Sequence, residues 1–229
     1  MARARPQLHL LISSGSTRQP LDAVRFLSNY STGFMGACLA REAVRRGHRV
    51  TVVSGPAAAS LPVEAVVVPV ERNEEMQAAL RRYAPRADAV VMAAAVCDFA
   101  PRALRTGKAQ RKQAWTLKLR ATPDIIGTLP RRPGQVRVGF AVESRDLLAR
   151  ARRKLQAKRL DLIVAQPLER GGAPFGRQAV TAVLLAAGGA RPRLLKRVSK
   201  PRLARAVLDE IERRCYADSP GKDAPGRTR

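Results

Sequence analysis

An α/β fold, doubly wound around a mostly parallel sheet, is what this sequence predicts, and three observations predict it. Short, continuous apolar runs alternate with segments of helical period along 229 residues. Hydrophobic residues make up 45% of the chain and aromatics only 4%, an aliphatic mixture suited to strands covered by helices on both faces. The connections between these segments are short and rich in glycine and proline, so successive strands return to one sheet.

The elements follow in order. The first apolar run, 7–13, is a strand that leads into Ser14-Gly15-Ser16-Thr17-Arg18. A polar loop then gives way to a helix over 33–46, with Met35, Leu39 and Val44 at helical spacing and Gly47 closing it. Ser31 or Thr32 stands where a helix cap belongs, and Asn29 where the turn before it bends. Strands are expected at 49–54, ended by Gly55-Pro56, and at 65–70, with a helix over 73–83. Residues 89–96 are one unbroken apolar run, the pattern of a strand buried on both faces.

From 98 to 121 the rhythm breaks into a basic insertion with Gly107, a charged run over 108–112 and the alternation Trp115-Thr116-Leu117-Lys118-Leu119. That alternation predicts a hairpin with one wet face, and its place between buried strands marks the segment as a flap. The α/β rhythm resumes with a strand at 136–141, a helix at 145–158 and a strand at 160–165. Segments 179–186 and 193–198 pair as a C-terminal hairpin, 200–216 is an amphipathic helix, and 217–229 reads as a disordered basic tail. The whole is one Rossmann-like domain over 1–216, with ligands expected beyond the carboxyl ends of its strands, at 14–18, 94–99, 143–144 and 166–167.

Composition excludes several functions. The first apolar run is too short for a signal peptide or a membrane span, so a cytoplasmic protein with no membrane attachment is expected. Cys38, Cys97 and Cys215 are odd in number and far apart, which argues against a disulfide framework. His9 and His48 are the only histidines, and no Cys/His cluster has metal-ligand spacing, so neither a histidine triad nor a protein-held metal is expected. The net charge of +25 is spread over the whole chain. It implies non-specific attraction to polyanions, nucleic acid included, without the motif of a specific nucleic-acid site. The loop after the first strand lacks both the G-x-G-x-x-G fingerprint and the Walker lysine, which disfavours an NAD(P)-dependent reductase and a P-loop enzyme.

A longer ordered pattern carries more. Gly15-Ser16-Thr17-Arg18-Gln19-Pro20-Leu21-Asp22 is followed by Val24-Arg25-Phe26-Leu27-Ser28-Asn29, Gly33 and Met35-Gly36. Then come Val53-Ser54-Gly55-Pro56, Ala93-Ala94-Ala95-Val96-Cys97-Asp98-Phe99, Lys108 and Thr122-Pro123-Asp124-Ile125. Val138-Gly139-Phe140-Ala141, Lys154, Lys158, Leu160-Asp161-Leu162-Ile163-Val164-Ala165 and Phe175-Gly176 complete it. This collinear set, from about residue 8 to 216, resembles the phosphopantothenate–cysteine ligases.

The resemblance implies a reaction and its residues. The carboxylate of 4′-phosphopantothenate attacks a nucleoside triphosphate, CTP or ATP with Mg²⁺, and pyrophosphate leaves. The amine of cysteine then displaces the nucleotide to form the amide. Positioning and neutralisation of phosphate charge are what such chemistry asks of a protein. Asn29 and Lys108 are the implied catalytic groups, Asn29 on the acyl intermediate and Lys108 on the nucleotide phosphates from the flap. Arg25, Asn29, Ala94 and Asp98 are implied to bind the substrate, with Arg25 reaching a phosphate across a homodimer. Gly15, Ser16, Thr17, Met92, Ala93, Ala94, Asp98, Lys108, Thr122, Pro123, Asp124, Phe140, Lys154 and Lys158 are implied to bind the nucleotide.

The chain departs from the family pattern at Phe34, Cys97, Ala109-Gln110-Arg111 and Gln166. Those departures, with the charge, carry an alternative expectation: a catalytically degenerate homologue that binds nucleotide or nucleic acid.

Overall fold

The computed structural model describes residues 6–104, 106–111, 114–168 and 174–217. β1 (His9–Ser14) runs through the middle of the sheet, with Leu10 and Ile12 buried on one face and Leu11 on the other. β2 (Arg18–Pro20) and β3 (Phe26–Ser28) then form a small antiparallel hairpin of their own. α1 (Phe34–Arg45) carries the chain to β4 (Arg49–Ser54), parallel to β1, and on to the edge strand β5 (Val66–Pro69). α2 (Asn73–Tyr83) crosses back over the opposite face to β6 (Ala89–Met92), on the other side of β1.

β7 (Phe99–Pro101) and β8 (Leu119–Ala121) make a second small antiparallel pair, and α3 (Ile125–Thr128) is a single turn. β9 (Val136–Glu143), α4 (Leu147–Ala157) and β10 (Leu162–Pro167) continue the parallel winding. β11 (Val180–Ala186) and β12 (Arg193–Val198) close the sheet as antiparallel strands, and α5 (Lys200–Ala217) returns to pack on α1.

The eight-stranded order is β12-β11-β10-β9-β6-β1-β4-β5. The chain winds outward from β1 in one direction, then returns and winds outward through β6 in the other. The switch between β1 and β6 opens a crevice at their carboxyl ends, because the crossovers there diverge to opposite sides. Packing holds this arrangement. On one face Leu39, Leu203, Leu208 and Ile211 of α1 and α5 cover Leu10, Ile12 and Val52. On the other, Met76 and Leu80 of α2 cover Leu11, Val53 and Val90. Each such side chain contributes about 2 kcal/mol by leaving water. That outweighs local propensity in α2, whose other positions are mostly charged or polar.

The predicted doubly wound sheet with a C-terminal hairpin is the architecture found. Three expectations need correcting. The apolar run 89–96 is a strand only through Met92. Beyond it the backbone leaves the sheet and bonds to the loop after β1: the Ala94 amide donates to Ser13 Oγ at 3.1 Å and the Ala95 amide to the Gly15 carbonyl at 2.9 Å. Neither Ser31 nor Thr32 caps α1; Gly33 takes the N-cap at φ 73° with no side-chain cap. Among the described residues the alternation over 115–119 forms no long hairpin: Leu119–Ala121 pairs with Phe99–Pro101, and the Arg102 amide donates to the Lys118 carbonyl at 2.9 Å. α5 includes Ala217, and the rest of the expected tail, 218–229, lies outside the described residues. The β2–β3 hairpin is new, fastened by Ser28 Oγ donating to the Thr17 carbonyl at 2.8 Å.

Buried Arg137 sets one wall of the crevice. From β9 its guanidinium donates to the carbonyls of Ile126 at 3.3 Å and Leu129 at 2.9 Å, pinning α3 against the sheet. Among the described residues no helix is long and apolar enough to cross a membrane.

Candidate active site at the sheet switch point

The crevice is a cleft of about 430 Å³ over the carboxyl ends of β6 and β9 and the N-terminus of α1. Two glycines let its floor close. Gly15, at φ 77°, turns the chain out of β1 against the backbone of Gly55, where any side chain would collide with the Gly55 carbonyl. Gly36 in the first turn of α1 lies against Ser14, so a Cβ there would push the helix off the strand end.

Three walls line the cleft. Asn29, Ser31, Thr32, Phe34 and Met35 form the first, ahead of and within the start of α1. The second is the outgoing loop of β6, Ala93 to Val96 with Asp98, faced by Thr122, Pro123 and Asp124 beyond the β7–β8 pair. The third runs from Gly139 and Phe140 on β9 to Lys154 and Lys158 by α4, then past Gln166 to Phe175 and Lys200.

Hydrogen bonds fix the second wall tightly. The Thr17 amide donates to the Ala95 carbonyl at 3.2 Å, and the Cys97 amide to Thr17 Oγ1 at 2.9 Å. The Cys97 carbonyl accepts from Asn73 Nδ2 at 2.6 Å and Thr122 Oγ1 at 2.7 Å. Asn29 reaches across from the first wall, its Nδ2 donating to the Ala95 carbonyl at 3.0 Å. A carbonyl can only accept, so the carboxamide orientation is fixed. Oδ1 and the second N–H, which has only the weak sulfur of Cys97 at 4.0 Å, remain available to a ligand.

The thiol of Cys97 donates to the Thr17 carbonyl at 3.3 Å, and burial pushes its pKa up. It stays protonated and packs as a small hydrophobe rather than acting as a nucleophile.

Charge is unevenly distributed. Lys154 pairs with buried Glu143 at 2.6 Å, and Arg150 approaches the same carboxylate at 3.4 Å. Lys158 pairs with Asp124 at 3.0 Å across the cleft. Asp98 has no ion-pair partner among the described residues.

The structure brings most of the expected site residues to this one cleft: Asn29, Met92, Ala93, Ala94, Asp98, Thr122, Pro123, Asp124, Phe140, Lys154 and Lys158. Five lie elsewhere. Gly15, Ser16 and Thr17 are buried behind the second wall, and the Ser16 and Thr17 amides are already given to the Pro56 and Ala95 carbonyls. They brace the cleft floor, and the Ser16 and Thr17 amides are not free for phosphate. Arg25 and Lys108 stand outside the cleft, on the β2–β3 hairpin and the flap.

One buried carboxylate ties those two together. Asp22 accepts from the Val24 and Arg25 amides at 2.9 and 2.8 Å, from the Arg25 guanidinium at 2.5 Å and from the Ala109 amide at 3.0 Å. These bonds, the Val24 amide first, hold its pKa down to about 2. Arg25 also donates to the Ala109 carbonyl at 3.3 Å and lies 5.6 Å from the Trp115 ring centre.

In the sequence Asp22 stands out only as part of a motif, and Lys200 does not stand out at all. The one signal for Lys200 is electrostatic: a lysine at the first helical position opposes the helix dipole, so it needs another reason to be there.

Comparisons with known proteins place this fold in a family. Residues 6–215 match the family described as DNA/pantothenate metabolism flavoprotein C-terminal domain. The chain is 38% identical over 206 residues to the coenzyme A biosynthesis bifunctional protein CoaBC of Bacillus subtilis, covering 89% of this chain and 50% of that protein. It therefore spans about half the length of the curated relatives it matches. Its fold superposes on the crystal structure of the C-terminal domain of a CoaBC protein with a TM-score of 0.80 at 30% identity, over 94% of this chain and 100% of that one. A Cab2 mutant in complex with phosphopantothenate-cysteine shares the fold at a TM-score of 0.72 and 16% identity, over 92% and 88% of the two chains.

Proposed function

This chain belongs to the DNA/pantothenate metabolism flavoprotein C-terminal domain family, and from that premise we propose that it is a ligase of coenzyme A biosynthesis, joining 4′-phosphopantothenate to cysteine. The observation that carries this reading is the single cleft at the switch point. It sets the fixed carboxamide of Asn29 and the loop of Ala94 and Asp98 beside the apolar and basic wall of Phe140, Lys154 and Lys158. In this reading residues 1–216 work as one ligase unit in the cytoplasm, with 98–121 as its flap.

The chemistry follows from what a carboxylate lacks. It is a poor electrophile, so a nucleoside triphosphate, CTP or ATP, converts it to an acyl-nucleotide with loss of pyrophosphate. The base lies against Phe140, and Lys154 and Lys158 reach ribose or phosphate oxygens by exchanging their present partners Glu143 and Asp124. Asn29 meets the acyl group at Ala94, and Lys108 comes down with the flap onto the phosphates. Mg²⁺ travels with the triphosphate, held mainly by its phosphates and water, with Asp98 the cleft carboxylate free to face it.

The decisive assay measures pyrophosphate release and amide formation with CTP and ATP side by side. Release is expected only when phosphopantothenate, cysteine and a triphosphate are all present. No amide with either nucleotide sinks the ligase reading. It would leave a degenerate homologue that binds nucleotide or nucleic acid.

A second copy of the chain is part of the proposal. The β2–β3 hairpin and the flap display a run of exposed apolar side chains: Tyr30 at 91% exposure, with Val24, Phe26, Phe99 and Leu104. Apolar exposure of this kind suits a protein interface, and Arg25 stands in its midst, placed to reach a partner's phosphate. Sedimentation is expected to report a dimer for the native chain and a monomer for the pair Phe26→Asp and Tyr30→Asp. A native chain that sediments as a monomer at assay concentration removes the partner's Arg25 from the mechanism.

A further inference from the structure

The corner of the cleft at Lys200 holds a buried cation and unpaired donors. Lys200 opens α5 and is only 3% exposed, yet it lines the cleft. Its Nζ donates to the Pro174 carbonyl at 2.7 Å, and among the described residues no carboxylate pairs with it. Gln166, 7% exposed at the end of β10, lines the same space, and its Nε2 has no acceptor. On the same cleft α1 begins at Gly33 with neither a side-chain cap nor an acidic residue in its first turn, and its leading residues Phe34 and Met35 line the space. The Thr32 hydroxyl, also on the cleft, is buried and unpaired as well.

Each of these features opposes folding on its own. A buried ammonium without a counter-ion is unfavourable, and so is a cation in the first turn of a helix. Unpaired buried donors lose their water without replacement. Burial pushes the Lys200 pKa down. These disadvantages lessen together when a multiply charged anion rich in acceptor oxygens enters the corner.

We propose that Lys200, the Gln166 carboxamide and the leading amides of α1 form the site that holds the β- and γ-phosphates of the triphosphate and receives them as pyrophosphate. The proposal rests on the ligase reading for its place in the reaction. With the base on Phe140 and the acyl group at Asn29, the α-phosphate lies between them, and this corner is the part of the cleft left for the remaining two phosphates. When the substrate carboxylate bonds to the α-phosphorus, the bond from that phosphorus to the bridging oxygen breaks, and its electron pair leaves with pyrophosphate. In this proposal Lys200 contributes positive charge to the leaving group and transfers no proton.

The test is calorimetric titration of the full chain with magnesium pyrophosphate and, separately, with the nucleoside monophosphate, CMP or AMP. Lys200→Met, similar in length and uncharged, is expected to weaken pyrophosphate binding by about tenfold or more, as the loss of a charge-assisted contact does. Monophosphate binding should stay within about twofold, because that ligand ends before the corner. Lys200→Arg should retain part of the pyrophosphate affinity. The variant's Tm is expected to be unchanged or raised, since an unpaired buried charge is gone. Should Lys200→Met fail to fold, Gln166→Met reads the same corner and is expected to weaken pyrophosphate alone.

Unchanged pyrophosphate affinity in a folded variant overturns the proposal. A selective rise in KM for phosphopantothenate with pyrophosphate binding intact overturns it too, by giving the corner to the other substrate's phosphate. Lys200-dependent pyrophosphate binding in a chain that forms no amide leaves the corner standing and removes the ligase reading instead.

Discussion

Replacing Asn29 with alanine is expected to lower kcat for amide formation by about 10²–10³-fold, the cost of removing one preorganised donor from a developing oxyanion. KM for the triphosphate should move by less than about threefold, because the proposed place of the group is at the acyl centre rather than at the nucleotide. The expectation follows from how the carboxamide is held. One N–H is committed to the Ala95 carbonyl at 3.0 Å, which fixes the plane and leaves an N–H and Oδ1 facing the cleft. Such a group meets a tetrahedral intermediate without reorganising, donating to its oxygen while accepting from the incoming amine. Asn29→Asp is the sharper control. It keeps size and shape but sets a carboxylate against the Ala95 carbonyl, so anchor and donor are lost together, and a decrease of similar size is expected. Full activity in either variant, with fold intact, removes Asn29 from the reaction. An equal rise in KM for all three substrates would instead mark it as a loop-shaping residue.

How far this site can be read from the sequence depends on which physical signal each part uses. Segments 49–54 and 73–83 are found where the sequence puts them, because the first is a short apolar run buried on both faces of the sheet and the second buries Met76 and Leu80 against it. The run 89–96 misleads for the same reason. Its apolar character persists to Val96, but apolarity does not say where backbone hydrogen bonds go, and after Met92 they pass to the loop of Gly15 and Thr17. That hidden bonding also explains why Gly15-Ser16-Thr17, which the family resemblance assigns to the nucleotide, serves as a brace. The β2–β3 hairpin has three-residue strands, too short for alternation to register, and it depends on Ser28 reaching the Thr17 carbonyl. The order of motifs brings the second and third walls together on paper. The corner of Lys200 and Gln166 is invisible there, because β10 and the start of α5 line one cleft only once the sheet is folded.

The flap gives the second large expected effect. Lys108→Ala should reduce kcat/KM for the triphosphate by about a hundredfold, the scale of losing a positioned cation on a transferring phosphate. Lys108 itself is exposed, and what places it is its neighbour: buried Ala109, whose amide donates to Asp22 at 3.0 Å. Asp22→Ala should therefore lower kcat/KM although it touches no substrate, by releasing the flap and the Arg25 guanidinium together.

Coupling separates this from simple destabilisation. If Asp22 acts through Lys108, its effect should shrink in the Lys108→Ala background, so the double variant is less impaired than the product of the two losses. Independent, multiplying effects would assign Asp22 a purely structural role.

The pH dependence carries a definite sign. The folded-state pKa of Asp22 lies at about 2, below its ordinary value of 3.8. Its anchoring contribution is therefore complete above about pH 4 and lost as the pH falls through 2. Protease cleavage at the flap should accordingly be slow and flat across neutral and mildly acidic pH in the native chain. In Asp22→Ala it should be fast at every pH, whereas equal cleavage of the two chains would show that the flap needs no anchor at Asp22.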